Sequence, residues 1–278
     1  MKTQILGMLA ETPVHPGTGR STGFVDLPVA REAATDYPVI VATSLKGALR
    51  QVARDHATWS DERVESVFGK PDCAGRLVVS DARLLLLPVR SLNSQYKWLT
   101  CPHLLERLGR DLRRAGEEPD RQETIDLEKG QALAETEGGK LFLEERQFEV
   151  KKEPLPDDLI ERLKKLLPPG PTRQRMRKQT AVLHDDDFHW FAEYGLSVNA
   201  RNKLEPETKT VETGLWYEET LPADSLFYCL LAERSAGGKG ALKEAEELLD
   251  SDAPYLQVGG NETVGQGWFA TQWLAEVK

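Results

Sequence analysis

The sequence predicts an α+β fold, and three observations carry that prediction. Strand-like apolar runs and amphipathic helices succeed one another at both ends of the chain, the middle is polar with few large apolar side chains, and no internal repeat is present. The longest unbroken apolar run, residues 226–232, is far short of the ~20 residues that span a bilayer.

Residues 4–9 suit a first strand. They run into residues 11–23, where two prolines and three glycines exclude a regular element and leave a long loop. After residues 24–28, the segment 37–42 is apolar, and Ser44 is expected to N-cap a helix reaching about His56. Leu45, Ala48, Leu49, Val52 and Ala53 share one face of it. Residues 77–80 and 83–89 read as two short strands with Asp81 between them, and Thr100 with Pro102 opens a second helix buried through Leu104, Leu105, Leu108 and Leu112. Residues 115–139 are dominated by Glu, Asp, Gln and Gly and read as a peripheral, partly mobile insertion. A charged helix over 157–167 stops at the proline-rich 168–171, and the four basic residues within 173–178 read as a solvated face. Residues 194–204 and 209–217 form the arms of a hairpin around 205–208. The chain closes with a strand at 226–232, a helix at 241–249, a strand at 255–258, a glycine-rich loop and a final strand at 268–274. This order fits a ferredoxin-like, RRM-type βαββαβ core with one sheet face bare, built from residues 1–114 and 215–278. Residues 115–214 are then an inserted helical region that includes a hairpin at about 194–217.

The 278 residues carry 45 acidic and 36 basic side chains, a net charge of −9 that argues against a surface coated with nucleic acid but allows a local basic groove. Three widely spaced cysteines without a CxxC give neither a disulfide framework nor a zinc knuckle. The N-terminus has no apolar core followed by a small-residue cleavage site, so the expected compartment is the cytoplasm, with no membrane partner.

Several groups could carry chemistry. Lys46, Arg50 and Arg54 recur at every fourth position and make a basic stripe on the first helix. Lys46 is expected in its first turn, where a phosphate would meet backbone N–H groups, the ammonium and the helix dipole together. Gly259, Gly260, Gly265 and Gly267 could let successive amides form an anion nest, or simply make a tight turn. Asp26 follows the loop that carries His15 and Arg20; a carboxylate there could orient a hydroxyl, bind a divalent metal, act as a general base or cap a turn. His15, between two prolines, is expected to be exposed. Glu218 and Glu219 are a carboxylate pair that only the fold could bring to Asp26. His184, Asp185, Asp186, Asp187 and His189 look like a metal cluster, but consecutive aspartates usually point in different directions into solvent.

Taken together, the segments TPVHPGTG (12–19), GFVDLPVAR (23–31), TSLKGALR (43–50), SDARLLLLPVRS (80–91), LTCP (99–102), LWYEE (215–219) and GGNETVGQGW (259–268) resemble one family across nearly the whole chain. It is the repeated backbone subunit, the fourth Cmr subunit, of type III-B CRISPR effector complexes, within the RAMP superfamily. The resemblance implies an RRM-type core bearing a thumb hairpin, with copies stacked along a CRISPR RNA and other Cmr subunits as partners. Guide contacts would come from Arg20, Lys46, Arg50, Arg54, the glycine-rich loop and the thumb cations Arg201, Lys203 and Lys209. It also implies endoribonuclease cleavage of guide-paired target RNA at regular intervals, with a divalent metal such as Mg or Mn at Asp26 and the neighbouring 2′-hydroxyl as nucleophile. His15 and Glu218 match assisting positions, whereas Thr220 stands where the family often has Tyr. Three alternatives stand beside this reading: a scaffold that binds guide without cutting, the related type III-A backbone subunit, and a free-standing metal enzyme acting on small substrates.

Overall fold

The computed structural model describes residues 1–117, 125–234, 237–249 and 254–274. Along the chain run β1 (Thr3–Ala10), β2 (Val39–Ile40), α1 (Ala42–Asp55), α2 (Asp61–Phe68), β3 (Gly69–Lys70), β4 (Cys73–Ala74), β5 (Leu77–Val79), β6 (Ala82–Arg90), β7 (Tyr96–Thr100) and α3 (Pro102–Arg114). The middle supplies β8 (Gln131–Ala134), β9 (Lys140–Leu143), β10 (Arg146–Val150), α4 (Asp157–Lys165), α5 (Pro171–Gln179), β11 (Thr180–Leu183) and α6 (Asp185–Tyr194). Then come β12 (Ser197–Leu204), β13 (Val211–Thr220), β14 (Leu226–Glu233), α7 (Ala241–Leu248), β15 (Tyr255–Gln257) and β16 (Trp268–Trp273).

Twelve strands form one mixed sheet in the order β15-β16-β1-β14-β6-β7-β11-β8-β10-β9, with β2 beside β6 and β5 beside β14. β12 and β13 stand outside it as a separate antiparallel hairpin. The two short strands expected after the first helix are one strand position interrupted at Ser80: β5 pairs with the Leu231–Glu233 end of β14 and β6 with its Leu226–Tyr228 end. The Ser80 hydroxyl accepts the Leu230 N–H at the break (2.9 Å), so the interruption leaves that donor satisfied.

The expectation of a bare sheet face does not hold. Every residue of β1 is buried, with Leu6 and Met8 in one apolar cluster and Ile5 and Leu9 in another. α1, α2 and α7 cover the first face through Leu45, Leu49, Val64 and Leu242, while α4 and α5 cover the second through Ile160, Leu163 and Met176. Alternation along a strand normally marks one solvated face; the apolar run Ile5–Ala10 in this fully buried strand reports helices on both. At Gly7 a Cβ would lie 2.1 Å from the Leu166 carbonyl oxygen, so only glycine lets the chain after α4 close onto the sheet.

The polar middle also differs from expectation. β8, with Ala132 and Leu133 buried, and its neighbours β10 and β11 extend the same sheet, so residues 131–183 add to the core layer; 118–124 lie outside the described residues. The basic run at 173–178 is helix α5, tied down where Arg177 donates to the Leu155 carbonyl (3.0 Å) and pairs with Asp157. Sequence reading missed α2, which Ser60 caps by accepting the Arg63 N–H. The aspartate run divides its work: Asp185 accepts the His103 N–H at the start of α3, Asp186 pairs with Lys129, and Asp187 accepts the Gly130 N–H beside Arg146. No group of three or more His, Cys, Asp and Glu suited to a metal exists among the described residues. Cys101 and Cys229 are buried and Cys73 is exposed, all as free thiols. No described helix is long and apolar enough to cross a membrane.

Candidate functional site

Helix α1 begins three residues earlier than its sequence suggests, with Val41 rather than Ser44 at the N-cap position. Asp81, from the break between β5 and β6, accepts the Ala42 N–H (2.7 Å) and takes the capping role expected of Ser44, which is the third helical residue. Lys46 therefore sits in the second turn, beyond the strongest part of the N-terminal dipole. Likewise Thr100 is the last residue of β7 rather than a cap, and Pro102 occupies the first turn of α3.

The stripe itself forms. Leu45, Leu49 and Ala53 anchor α1 in the core, and Lys46 and Arg50 line an open groove of about 600 Å³ together with Lys70 and Arg234. Arg54, one turn on, is exposed. None of Lys46, Arg50 and Arg54 is in an ion pair among the described residues, and the Arg50 Nε is buried without a partner. Lys70, by contrast, holds Glu65 at 2.8 Å. A cationic helix face with no carboxylate at ion-pair distance, only the field of Glu65 near Arg50 and Arg54, attracts a polyanion and releases its counterions on binding.

A second cavity, also about 600 Å³, opens at the foot of the β12–β13 hairpin and is lined by Arg20, Ser21, Asp26, Leu27, Arg201, Leu215, Trp216, Glu218 and Asn261. The loop and the hairpin meet here through the backbone: Leu27 N–H donates to the Tyr217 carbonyl and Glu219 N–H to the Leu27 carbonyl, both at 3.0 Å. Asp26 adds a side-chain bond, its Oδ2 accepting the Tyr217 N–H at 2.7 Å. One oxygen is thereby anchored while the half-buried carboxylate still lines the cavity.

Strand alternation separates the two glutamates. Glu218 lines the cavity, buried, and its Oε1 receives both Arg201 Nη2 (3.1 Å) and the Asn261 amide. Glu219 faces the other way, accepting the Val29 N–H (3.0 Å) and pairing with Arg31 (2.7 Å). It is a clamp for the segment after Asp26, not part of the cavity.

His15 is only 8% exposed, against the expectation of a surface turn. Its Nδ1 bonds the Glu219 carbonyl (2.8 Å), which makes Nδ1 the donor, and its ring lies between Gly17 and Gly260, where added Cβ atoms would meet it at 2.6 and 3.4 Å. The glycine-rich loop serves this packing rather than a nest. The amides of Gly260, Gly265 and Gly267 donate to the carbonyls of His15, Glu262 and Pro13, so those three are spent within the protein. Asn261, in a left-handed conformation that suits it, was hidden among the glycines and reaches Glu218 instead. Of the hairpin cations, Arg201 is in the cavity, whereas Lys203 and Lys209 are exposed toward the tip.

The chain thus combines a cation-lined helix groove with a carboxylate-bearing cavity beside a hairpin that stands outside the large sheet. The chain belongs to the RAMP superfamily, whose family model matches residues 8–270, and within it to the Cmr4 family. It is 36% identical over 282 residues to the CRISPR system Cmr endoribonuclease Cmr4 of Pyrococcus furiosus, covering 96% of this chain and 94% of that one. A crystal structure of oligomeric Cmr4 from the same organism superposes with a TM-score of 0.77 at 29% identity, covering 98% of each chain. A chain of the type III-B Cmr-beta complex bound to cognate target RNA shares the fold, with a TM-score of 0.74 at 21% identity over 99% of this chain and 98% of that one.

Proposed function

We propose that this chain is the backbone subunit of a type III-B CRISPR effector, holding CRISPR RNA in stacked copies beside other Cmr subunits and cutting the guide-paired target RNA at regular intervals. The observation that carries it is the placement of Asp26: a carboxylate bonded to the base of the β12–β13 hairpin, in a cavity it shares with Arg20 and Arg201. The relatives' names and their RNA-bound and oligomeric structures support the same reading. The strand order β16-β1-β14-β6, all antiparallel, with α1 and α7 on one face, supports a ferredoxin-like core, and the separate hairpin supports a thumb.

In this reading the α1 groove grips guide phosphates without reading bases, and pairing supplies sequence specificity. Target RNA crosses the hairpin's foot. Asp26 accepts a hydrogen bond from the attacking 2′-hydroxyl, and the guanidinium groups of Arg20 and Arg201 meet charge developing on the scissile phosphate. Glu218 keeps Arg201 in place, and His15 braces the loop through the Glu219 carbonyl rather than touching RNA. A divalent ion of the Mg or Mn class would be held on the protein side by Asp26, since Glu218 is already paired and no three-ligand cluster exists among the described residues. When bound, it would relieve charge on the leaving oxygen.

Purifying the protein from its host and sequencing the accompanying RNA tests the assignment; repeat-derived tags are the expected result, and their absence sinks it. Removing both Lys46 and Arg50 charges should weaken RNA binding alike for unrelated guides and lower the slope of log affinity against log salt by about 1.4, two single-strand phosphate contacts' worth. Unchanged affinity in low-salt filter binding would return α1 to a plain solvated helix. Deleting 205–208 should leave the thermal transition in place while disturbing cleavage at the regular positions, because these residues form only the hairpin's exposed turn. Loss of the transition would show that the hairpin belongs to the core.

A further inference from the structure

The segment between Ser21 and Asp26 is a closed loop: the Ser21 N–H donates to the Asp26 carbonyl at 2.8 Å, and the Ser21 hydroxyl accepts the Gly23 N–H at 3.0 Å. Its base lines the Asp26 cavity through Ser21, Asp26 and Leu27. At its apex stands Phe24, with a relative exposure of 103% and no ring or cation contact among the described residues. Leaving a phenylalanine fully in water forgoes roughly 2 kcal/mol of burial. The loop that holds it there is clamped at its root to β13 by the Asp26 and Leu27 bonds, so the ring is held out from an anchored base, two residues from the proposed reacting carboxylate.

Resting on the ribonuclease reading above, we infer that Phe24 is a positioning residue that stacks on an unpaired target base beside the scissile phosphate. In-line attack by a 2′-hydroxyl needs the nucleotide rotated out of helical geometry, and an unstacked base needs a π-face to rest on. An aromatic ring serves any base, which suits an enzyme whose sequence specificity lies in pairing. Phe24 takes no part in bond making. It holds the substrate's reactive rotamer while Asp26 and the guanidiniums act.

The test uses the assembled complex with wild type, Phe24→Ala and Phe24→Tyr chains. Phe24→Ala should slow single-turnover cleavage by roughly 5- to 100-fold, the worth of one stacked base, while target binding and the number of copies stay constant and Phe24→Tyr restores the rate. Target RNAs carrying one abasic nucleotide, moved stepwise past the cut, should show one position where base removal slows wild type but leaves Phe24→Ala unaffected. A 2-aminopurine at that position should be quenched on binding to wild type and Phe24→Tyr, and not on binding to Phe24→Ala. Equal abasic effects in both chains overturn the inference. A changed copy number by native mass measurement also overturns it, since the ring would then dock on a neighbouring copy of the chain. If the wild type does not cut at all, the ribonuclease reading falls by itself, and the fluorescence comparison still decides Phe24.

Discussion

Asp26→Ala is expected to slow cutting steeply while the complex still loads guide and binds target. The carboxylate lines the hairpin cavity with one oxygen bonded to the Tyr217 N–H, so its removal costs only about 1 kcal/mol of stability from that bond. Its place beside Arg20 and Arg201 makes it the group that a substrate hydroxyl would meet, and losing such a group costs roughly 100- to 10,000-fold in rate. Asp26→Asn separates structure from chemistry. The amide oxygen can still accept the Tyr217 N–H and hold the loop, yet it lacks the charge, so it should cut as poorly as Asp26→Ala with a wild-type melting temperature. Chelating divalent metal should mimic either variant if the ion is held by Asp26. End-labelled complementary RNA with the reconstituted complex gives the readout. A mutant that cuts at wild-type positions and rate would leave the protein a scaffold only.

Glu219→Ala should destabilise the protein far more than Asp26→Ala does, although both residues are acidic and close in space to the same loop. Glu219 is buried, holds Arg31 at 2.7 Å and accepts the Val29 N–H, so its removal takes the counter-charge from a guanidinium and the acceptor from a backbone donor at once. Breaking such a pair costs about 3 kcal/mol here, since Arg31 keeps its bonds to the carbonyls of Asp36 and Ala192. The expected fall in melting temperature is roughly 5 °C by calorimetry. Glu219→Gln should recover part of it, because the amide oxygen can still accept the Val29 N–H. A shift no larger than that of Asp26→Ala would show that the clamp is solvated in practice.

The residues of the candidate site were legible one by one, and their grouping was not. Asp26, Arg20, Arg201 and Glu218 stand out as polar groups on loops and strand ends, yet 175 residues and more separate the first two from the others. His15 between prolines reads as surface; its burial depends on Gly17 and Gly260 closing over the ring, and the second of these is 245 residues away. The glycine-rich loop was visible as glycine-rich, but which amides stay free depends on carbonyls from Pro13 and His15 that only folding delivers.

What the sequence determined by itself is local. The apolar face of α1, the hairpin arms β12 and β13, the strand β14 and the pattern of α7 and β16 follow from periodicity and turn residues within a dozen positions, which is the range over which backbone geometry repeats. Alternation also requires that Glu218 and Glu219 face opposite sides. It does not say which side holds Asp26. The tertiary structure decided that, as it decided that Asp81 rather than Ser44 caps α1 and that helices cover both faces of the sheet. Each of these is settled by a partner far along the chain. A buried donor or charge accepts whichever partner the packed core brings within 3 Å, and no local pattern encodes that choice.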